Sequence, residues 1–273
     1  MNKISVIVPC YNEEESLTAF HRETAAVLKK IEEADYEFVF VDDGSSDKTL
    51  EIIKELAAED SHVRYVAFSR NFGKEAGMYA GLSEASGDYM VIMDADLQHP
   101  PALLPAMYEA VSKEGYDLCG GLRMGREGDS KLRGIFSRAF YKVSKKLTHM
   151  DMSDGHGDFR MMNRKVAEAI LEMKEYNRYM KGLFSFVGFD TKWIEYESVE
   201  RVMGKSKWNF KSLFSYAFEG ILSFSTAPLK LAGLIGCLLF IGGLAFMGIN
   251  LVQSIGAGGA ITSFDIVIFA LLM

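Results

Sequence analysis

The chain has 273 residues, of which 49% are hydrophobic and 25% charged, with only 5 Pro and 25 Gly. That composition excludes disordered, collagen-like and low-complexity chains. Three cysteines, Cys10, Cys119 and Cys237, make neither a CxxC pair nor a Cys/His cluster, so a disulfide scaffold and a structural zinc site are excluded and a reducing compartment fits. The net charge of -7 is unevenly spread: residues 1–122 carry 23 acids against 10 bases, whereas residues 123–230 carry 13 acids against 20 bases. The second half is therefore expected to meet an anionic partner.

The chain opens on the apolar run Ile4–Cys10, which meets Glu13-Glu14-Glu15 after seven residues and so reads as a buried strand, not a cleavable signal. Further apolar runs at Glu37–Val41, Val63–Phe68, Tyr89–Met93 and Asp117–Gly121 read as strands, with helical periodicity between them at about 14–33, 47–59, 74–85 and 101–113. Strands alternating with helices predict an α/β domain with a mainly parallel sheet. Ligands of such sheets sit at the carboxyl ends of the strands. Here those ends carry Pro9-Cys10-Tyr11-Asn12-Glu13, Asp42-Asp43-Gly44-Ser45, Ser69-Arg70-Asn71 and Asp94-Ala95-Asp96.

After residue 122 the rhythm weakens. Lys131–Thr148 places Leu132, Ile135, Phe136, Ala139, Phe140, Val143 and Leu147 at helical spacing opposite a basic face, the pattern of a helix lying on an anionic membrane surface. A second such helix is expected at Phe210–Phe224. Leu231–Val252 then runs 22 residues without a charge, about 33 Å of helix, enough to cross a bilayer core. The basic segment before it and the Lys- and Arg-free stretch Gln253–Ser263 after it place residues 1–230 in the cytoplasm by the positive-inside rule. Ile266–Met273 reads as the start of a second membrane helix, giving a multi-pass cell-membrane protein.

Asp94 and Asp96 put two carboxylates on one strand-to-loop turn, with Gln98 and His99 beyond. Hard oxygen ligands at such a turn suit Mg²⁺ or Mn²⁺, which usually keeps waters and completes its shell with substrate phosphates. The combination of Val6–Glu14, Val39–Asp47 and Asp94–Pro100 resembles family-2 glycosyltransferases, which have a GT-A nucleotide-binding α/β fold and use nucleotide-sugar donors. Gly157-Asp158-Phe159-Arg160, Arg178-Tyr179-Met180-Lys181-Gly182 and Arg201–Trp208 extend the resemblance to the polyprenyl-phosphate branch, which includes dolichyl-phosphate mannose synthases and bacterial undecaprenyl-phosphate glycosyltransferases.

The resemblance implies a site residue by residue. Pro9, Tyr11, Glu13, Asp42, Lys74 and Asp94 would bind the nucleotide, with Asp94, Asp96 and Gln98 as metal ligands for Mg²⁺ or Mn²⁺. Arg123, Arg133, Arg201, Ser206 and Lys207 would hold the acceptor phosphate, since Arg offers a bidentate fork and Lys a compact charge. Asp96, Asp158 and Arg123 would carry the chemistry. Asp158 matches a carboxylate with a base or orienting role; a phosphate monoester, with a second pKa near 6, needs little deprotonation, which favours orientation. Asp43 and Asp47 read as structural, one of them capping the next helix.

The implied organisation is a donor-binding core at 1–122, an acceptor-binding part at 123–208, an interfacial helix at 209–227 and a transmembrane region at 228–273. The implied partners are a nucleotide sugar, a polyprenyl phosphate and membrane lipid, with no nucleic acid. Small residues at Ala232, Gly236, Gly243 and Gly248 predict packing into a homo-oligomer. Val199 breaks the Walker A spacing before Gly204-Lys205-Ser206, and no GxGxxG follows the first strand. A processive polysaccharide synthase would carry Gln-x-x-Arg-Trp where this chain has Gly-Lys-Ser-Lys-Trp, and a catalytically silent membrane subunit would have lost the carboxylates and arginines this chain keeps.

Overall fold

In the computed structural model, the described residues are 1–124, 156–175, 178–197 and 222–256. Residues up to Ser223 form one compact unit and those from Phe224 a second. The first unit is built on β1 (Asn2–Cys10), α1 (Leu17–Leu28), β2 (Ala34–Asp42), α2 (Thr49–Glu59), β3 (Val63–Ala67) and α3 (Lys74–Glu84). It continues through β4 (Tyr89–Ile92), a 3₁₀ turn, α4 (Leu104–Ser112), β5 (Leu118–Met124), β6 (His156–Asn163), α5 (Arg164–Leu171), α6 (Met180–Phe186) and β7 (Thr191–Glu197).

The seven strands form one sheet in the order β3-β2-β1-β4-β6-β5-β7. All neighbouring pairs are parallel except the two that β6 makes with β4 and β5. The central strands are apolar on both faces because both are covered. Ile4, Val6, Val8, Phe38 and Phe40 share a core with Leu17 and Phe20 of α1, Ile53 of α2 and Met107 of α4. On the other face α3 lies close to β1: a Cβ on Gly81 would come within 2.3 Å of Ile7 Cγ2, so only glycine permits this approach.

Elements before residue 122 fall where periodicity puts them, with shifted ends. α1 begins at Leu17 and not near 14, because the backbone of Glu13 and Glu14 is engaged by the neighbouring loop. β5 runs past residue 122 to Met124, and β6 and β7 extend the sheet through the second half of the chain. The predicted boundary at 122 therefore lies inside a strand. The helix expected at 131–148, all of 210–224 except its last three residues, and the second apolar run lie outside the described residues.

The second unit contributes α7 (Ala227–Gly256), whose stretch Ala227–Gln253 is long and apolar enough to cross a membrane and has no part buried within the protein. It contains the expected span Leu231–Val252. Such an exposed apolar surface is the form a membrane helix takes.

At the sheet edge opposite the strands' carboxyl ends, Glu37 is 2% exposed and its carboxylate accepts hydrogen bonds from Ser5 Oγ (2.6 Å) and the Ser86 amide (2.6 Å), with Lys3 Nζ at 2.9 Å. Burial raises its pKa, but these donors outweigh burial and bring it down to about 2. A carboxyl whose pKa falls on folding stabilises the fold above its unfolded value near 4.5 and loses that contribution as pH falls toward 2. Glu37→Gln is expected to lower stability at pH 7 by about 2–4 kcal/mol and to flatten the acid limb between about pH 4.5 and 2; chemical denaturation across that range measures both.

Candidate active site

β1 is flanked by β2 on one side and β4 on the other, so successive chain crossovers diverge there and leave a crevice at the carboxyl ends of these strands. Two loops close one wall. Asn12 N–H donates to Ser45 Oγ (3.0 Å), Ser46 N–H to Asn12 Oδ1 (2.8 Å), Glu13 N–H to Thr49 Oγ1 (2.7 Å) and Lys48 N–H to Glu14 Oε2 (2.9 Å). Asn12 adopts φ 54°, a left-handed conformation that asparagine tolerates better than most residues. The first two sequence motifs are thus one structural object.

Within that wall Asp42 is buried, with Ser45 N–H at 3.4 Å, and Tyr11 is exposed. Pro9 packs beneath α3, where a Cβ on Gly77 would lie 3.2 Å from its own. Asp47 Oδ1 accepts from Thr49 N–H (2.9 Å) just before α2, whose N-cap position is held by Lys48 without a side-chain cap, so the capping expectation is not met. Asp43, also read as structural, does more than that. Its carboxylate accepts from Phe72 N–H (2.6 Å) and Gly73 N–H (2.9 Å), anchoring the loop that delivers Lys74. Gly44 (φ 67°) permits this contact, since a Cβ there would meet the Arg70 backbone at 2.5 Å.

The floor is the turn after β4. Asp94, Asp96 and Gln98 are partly exposed while Ala95, Leu97 and His99 are buried, so the three oxygen-bearing side chains share the open side. Asp94 N–H donates to His99 Nδ1 (3.0 Å), Gln98 N–H donates to Asp96 Oδ1 (3.1 Å), and the His99 ring stacks on Phe159 at 4.9 Å. Burial pushes the His99 pKa down, and because Nδ1 accepts a proton-bearing partner, the neutral ring carries its own hydrogen on Nε2.

The opposite wall comes from β6, which sequence periodicity did not disclose. β6 pairs antiparallel with β4, Ile92 opposite Arg160. Continuing that register two residues beyond the last pair sets Asp94 opposite Asp158. Lys74, first residue of α3, reaches between them: Nζ lies 2.6 Å from Asp94 Oδ1, 2.9 Å from Asp94 Oδ2 and 2.8 Å from Asp158 Oδ2. Burial raises the pKa of both carboxyls, but the Lys74 ammonium outweighs it and holds each below the usual carboxylate range. Asp158 Oδ1 is buried and has no hydrogen-bond partner among the described residues. Arg160, two residues on, is wedged between Phe184 and Trp193 and donates from Nε to Gly157 O (3.0 Å), a buried guanidinium that fixes the strand.

Asp94, Lys74 and Asp158 are thus in contact, while Asp96 and Gln98 stand on the same turn. Arg123 lies near the end of β5, the strand beside β6. Arg133, Arg201, Ser206 and Lys207 lie outside the described residues. Among the described residues no group of three or more His, Cys, Asp and Glu side chains converges as a metal site. The donor set on the turn, two carboxylates and a carboxamide, nevertheless fits a hard divalent ion that takes much of its shell from substrate phosphates.

A seven-stranded, mostly parallel α/β sheet with paired carboxylates at its switch point defines a class of α/β fold whose ligand site lies at the carboxyl ends of the strands. Residues 5–171 match glycosyl transferase family 2, and the chain belongs to that family. It is 41% identical to the putative glycosyltransferase CsbB of Bacillus subtilis over 98% of this chain and 81% of that one. It is 40% identical to the bactoprenol glucosyl transferase of Shigella phage SfV over 90% of this chain and 78% of that one. The fold is similar to glucosyl-3-phosphoglycerate synthase from Mycobacterium tuberculosis, crystallised with Mn²⁺ and uridine-diphosphate-glucose, at a TM-score of 0.53, 18% identity, and coverage of 79% and 75% of the two chains.

Proposed function

We propose that the chain is an inverting glycosyltransferase that moves a single sugar from a nucleotide-diphosphate sugar to a membrane polyprenyl phosphate, yielding a lipid-linked sugar for cell-envelope glycosylation. The observation that carries the acceptor class is the 40% identity, over 90% of the chain, to a bactoprenol glucosyl transferase. A UDP-sugar is favoured over GDP-mannose, and undecaprenyl phosphate is the favoured acceptor. The exposed apolar helix Ala227–Gln253 supports action at a membrane. The proposed setting is the cell membrane, multi-pass and as a homo-oligomer, with the catalytic domain on the cytoplasmic face.

In this reading the wall containing Pro9, Tyr11, Glu13 and Asp42 receives base and ribose, where carboxylates pair with ring N–H and hydroxyl donors. Asp94, Asp96 and Gln98 would hold Mg²⁺ or Mn²⁺, which when bound offsets charge on the departing diphosphate. Arg123 holds the acceptor phosphate and Asp158 orients the sugar or an arginine, and a phosphate oxygen of the lipid attacks the anomeric carbon as the bond to the diphosphate oxygen breaks. One in-line displacement inverts the anomeric centre. A phosphate already ionised at neutral pH requires no strong base, consistent with a carboxyl held below its usual range at Asp158.

Arg133, Arg201, Ser206 and Lys207 complete the proposed acceptor site. Arg201→Ala and Lys207→Ala are each expected to weaken lipid-phosphate use by about 10- to 150-fold while leaving nucleotide affinity unchanged, since each removes a charge-assisted contact worth roughly 1.5–3 kcal/mol. Calorimetry in which nucleotide affinity falls in parallel would move both residues to the donor side. The donor itself is read by offering UDP- and GDP-sugars with undecaprenyl phosphate and identifying which are consumed.

A further inference from the structure

Lys74, which the resemblance assigns to the nucleotide, is engaged by two carboxylates in this structure. Its ammonium spends its contacts on Asp94, through both oxygens, and on Asp158, and its side chain is 37% exposed. The loop that delivers it is held by Asp43, and Glu75, its neighbour on α3, accepts from Met180 N–H (2.8 Å). The amine is therefore fixed from two sides at the junction between the turn after β4 and the start of β6.

Two carboxylates, Asp94 and Asp158, meet at this junction with the Lys74 ammonium between them, and Asp96 stands on the same turn as Asp94. His99, neutral, contacts Asp94 from below, and the charges of Lys181 and Arg160 also act on Asp158. A divalent ion approaching Asp94 and Asp96 must take Asp94 from a lysine that already grips both its oxygens. A diphosphate arriving with the ion supplies the negative charge and the oxygen ligands that make this exchange favourable.

We propose that Lys74 is a positioning residue that occupies Asp94 in the free enzyme, suppresses divalent-ion binding until the donor diphosphate is present, and then remains on Asp158 to hold it beside the reacting centre. The proposal rests on the reading of Asp94 and Asp96 as metal ligands. It makes ion and nucleotide binding strongly coupled, and it locates the coupling in one side chain.

The test is Mn²⁺ titration followed by electron paramagnetic resonance, with and without UDP or GDP, on the full chain in detergent. Wild type should bind Mn²⁺ weakly alone and about tenfold or more tightly with UDP, a gain abolished by Asp96→Asn. In Lys74→Met, Mn²⁺ alone should bind about tenfold more tightly than in wild type, so that the gain from UDP shrinks, and Lys74→Arg should restore the wild-type pattern. Because Lys74→Met leaves two carboxylates facing each other, Lys74→Met/Asp158→Asn, which lowers that repulsion, is measured alongside and should show the same tighter binding. Unchanged or weaker Mn²⁺ affinity in whichever of the two melts cooperatively overturns the proposal while leaving the metal reading intact. Absence of Asp96-dependent binding in wild type with both UDP and GDP overturns the metal reading, and this proposal with it.

Discussion

Asp96→Ala is expected to reduce sugar transfer on the order of 10²–10³-fold while leaving the domain folded. The side chain is partly exposed on the turn after β4, where its Oδ1 accepts from the Gln98 amide (3.1 Å). Removing it costs the fold about 0.5–1.5 kcal/mol. In the proposed mechanism the same oxygens hold the ion that stabilises the departing diphosphate, and removal of one such electrostatic element costs two to three orders of magnitude. Transfer assays beside a thermal melt separate the two effects. Full activity in the variant, or wild-type activity that survives excess chelator, would remove the metal from the mechanism.

Asp158→Asn should cost transfer about 10²-fold or more, with donor affinity little changed. One oxygen of Asp158 is committed to Lys74 and the other is buried with no hydrogen-bond partner among the described residues, an arrangement that costs a fold about 1–3 kcal/mol. Native proteins seldom leave a buried acceptor unpaired without a use for it, and here the missing donor is one an acceptor-bound arginine or a sugar hydroxyl would supply. Asparagine keeps the shape, loses the charge that holds Lys74, and presents an N–H₂ to the crevice in one of its two orientations. Lys74 retains Asp94, so the variant should still fold. Steady-state kinetics in which kcat is unaffected, or in which only donor KM rises, would place Asp158 outside the reacting centre.

The parallel half of the sheet was legible because buried strands announce themselves as short apolar runs, and the loops after β1, β2 and β4 carry their polar residues at strand ends. The contacts that make a site of those loops were less so. Asn12 to Ser46 and Asp43 to Phe72 join segments about thirty residues apart, and neither residue type reveals its partner. β6 escaped because His156–Asn163 mixes polar and apolar residues without clear alternation, and its antiparallel pairing with β4 is set by tertiary context. Missing β6 meant missing that Asp158 falls opposite Asp94. Lys74 enters from the resemblance as a nucleotide ligand, and its carboxylate partners become visible only with the position of Asp158. The apolar helix Ala227–Gly256 was the easiest element to read, since its length and composition meet what crossing a membrane requires.

The account's central claim, transfer of one sugar to a lipid phosphate, is tested most directly by the mass of the product formed from a nucleotide sugar and undecaprenyl phosphate. The predicted result is a lipid phosphate carrying a single sugar residue, formed only when the lipid is present and unchanged in mass on longer incubation. A ladder of masses rising with time would show a polymerising synthase, and intact lipid beside intact donor across the UDP- and GDP-sugars would contradict the claim outright.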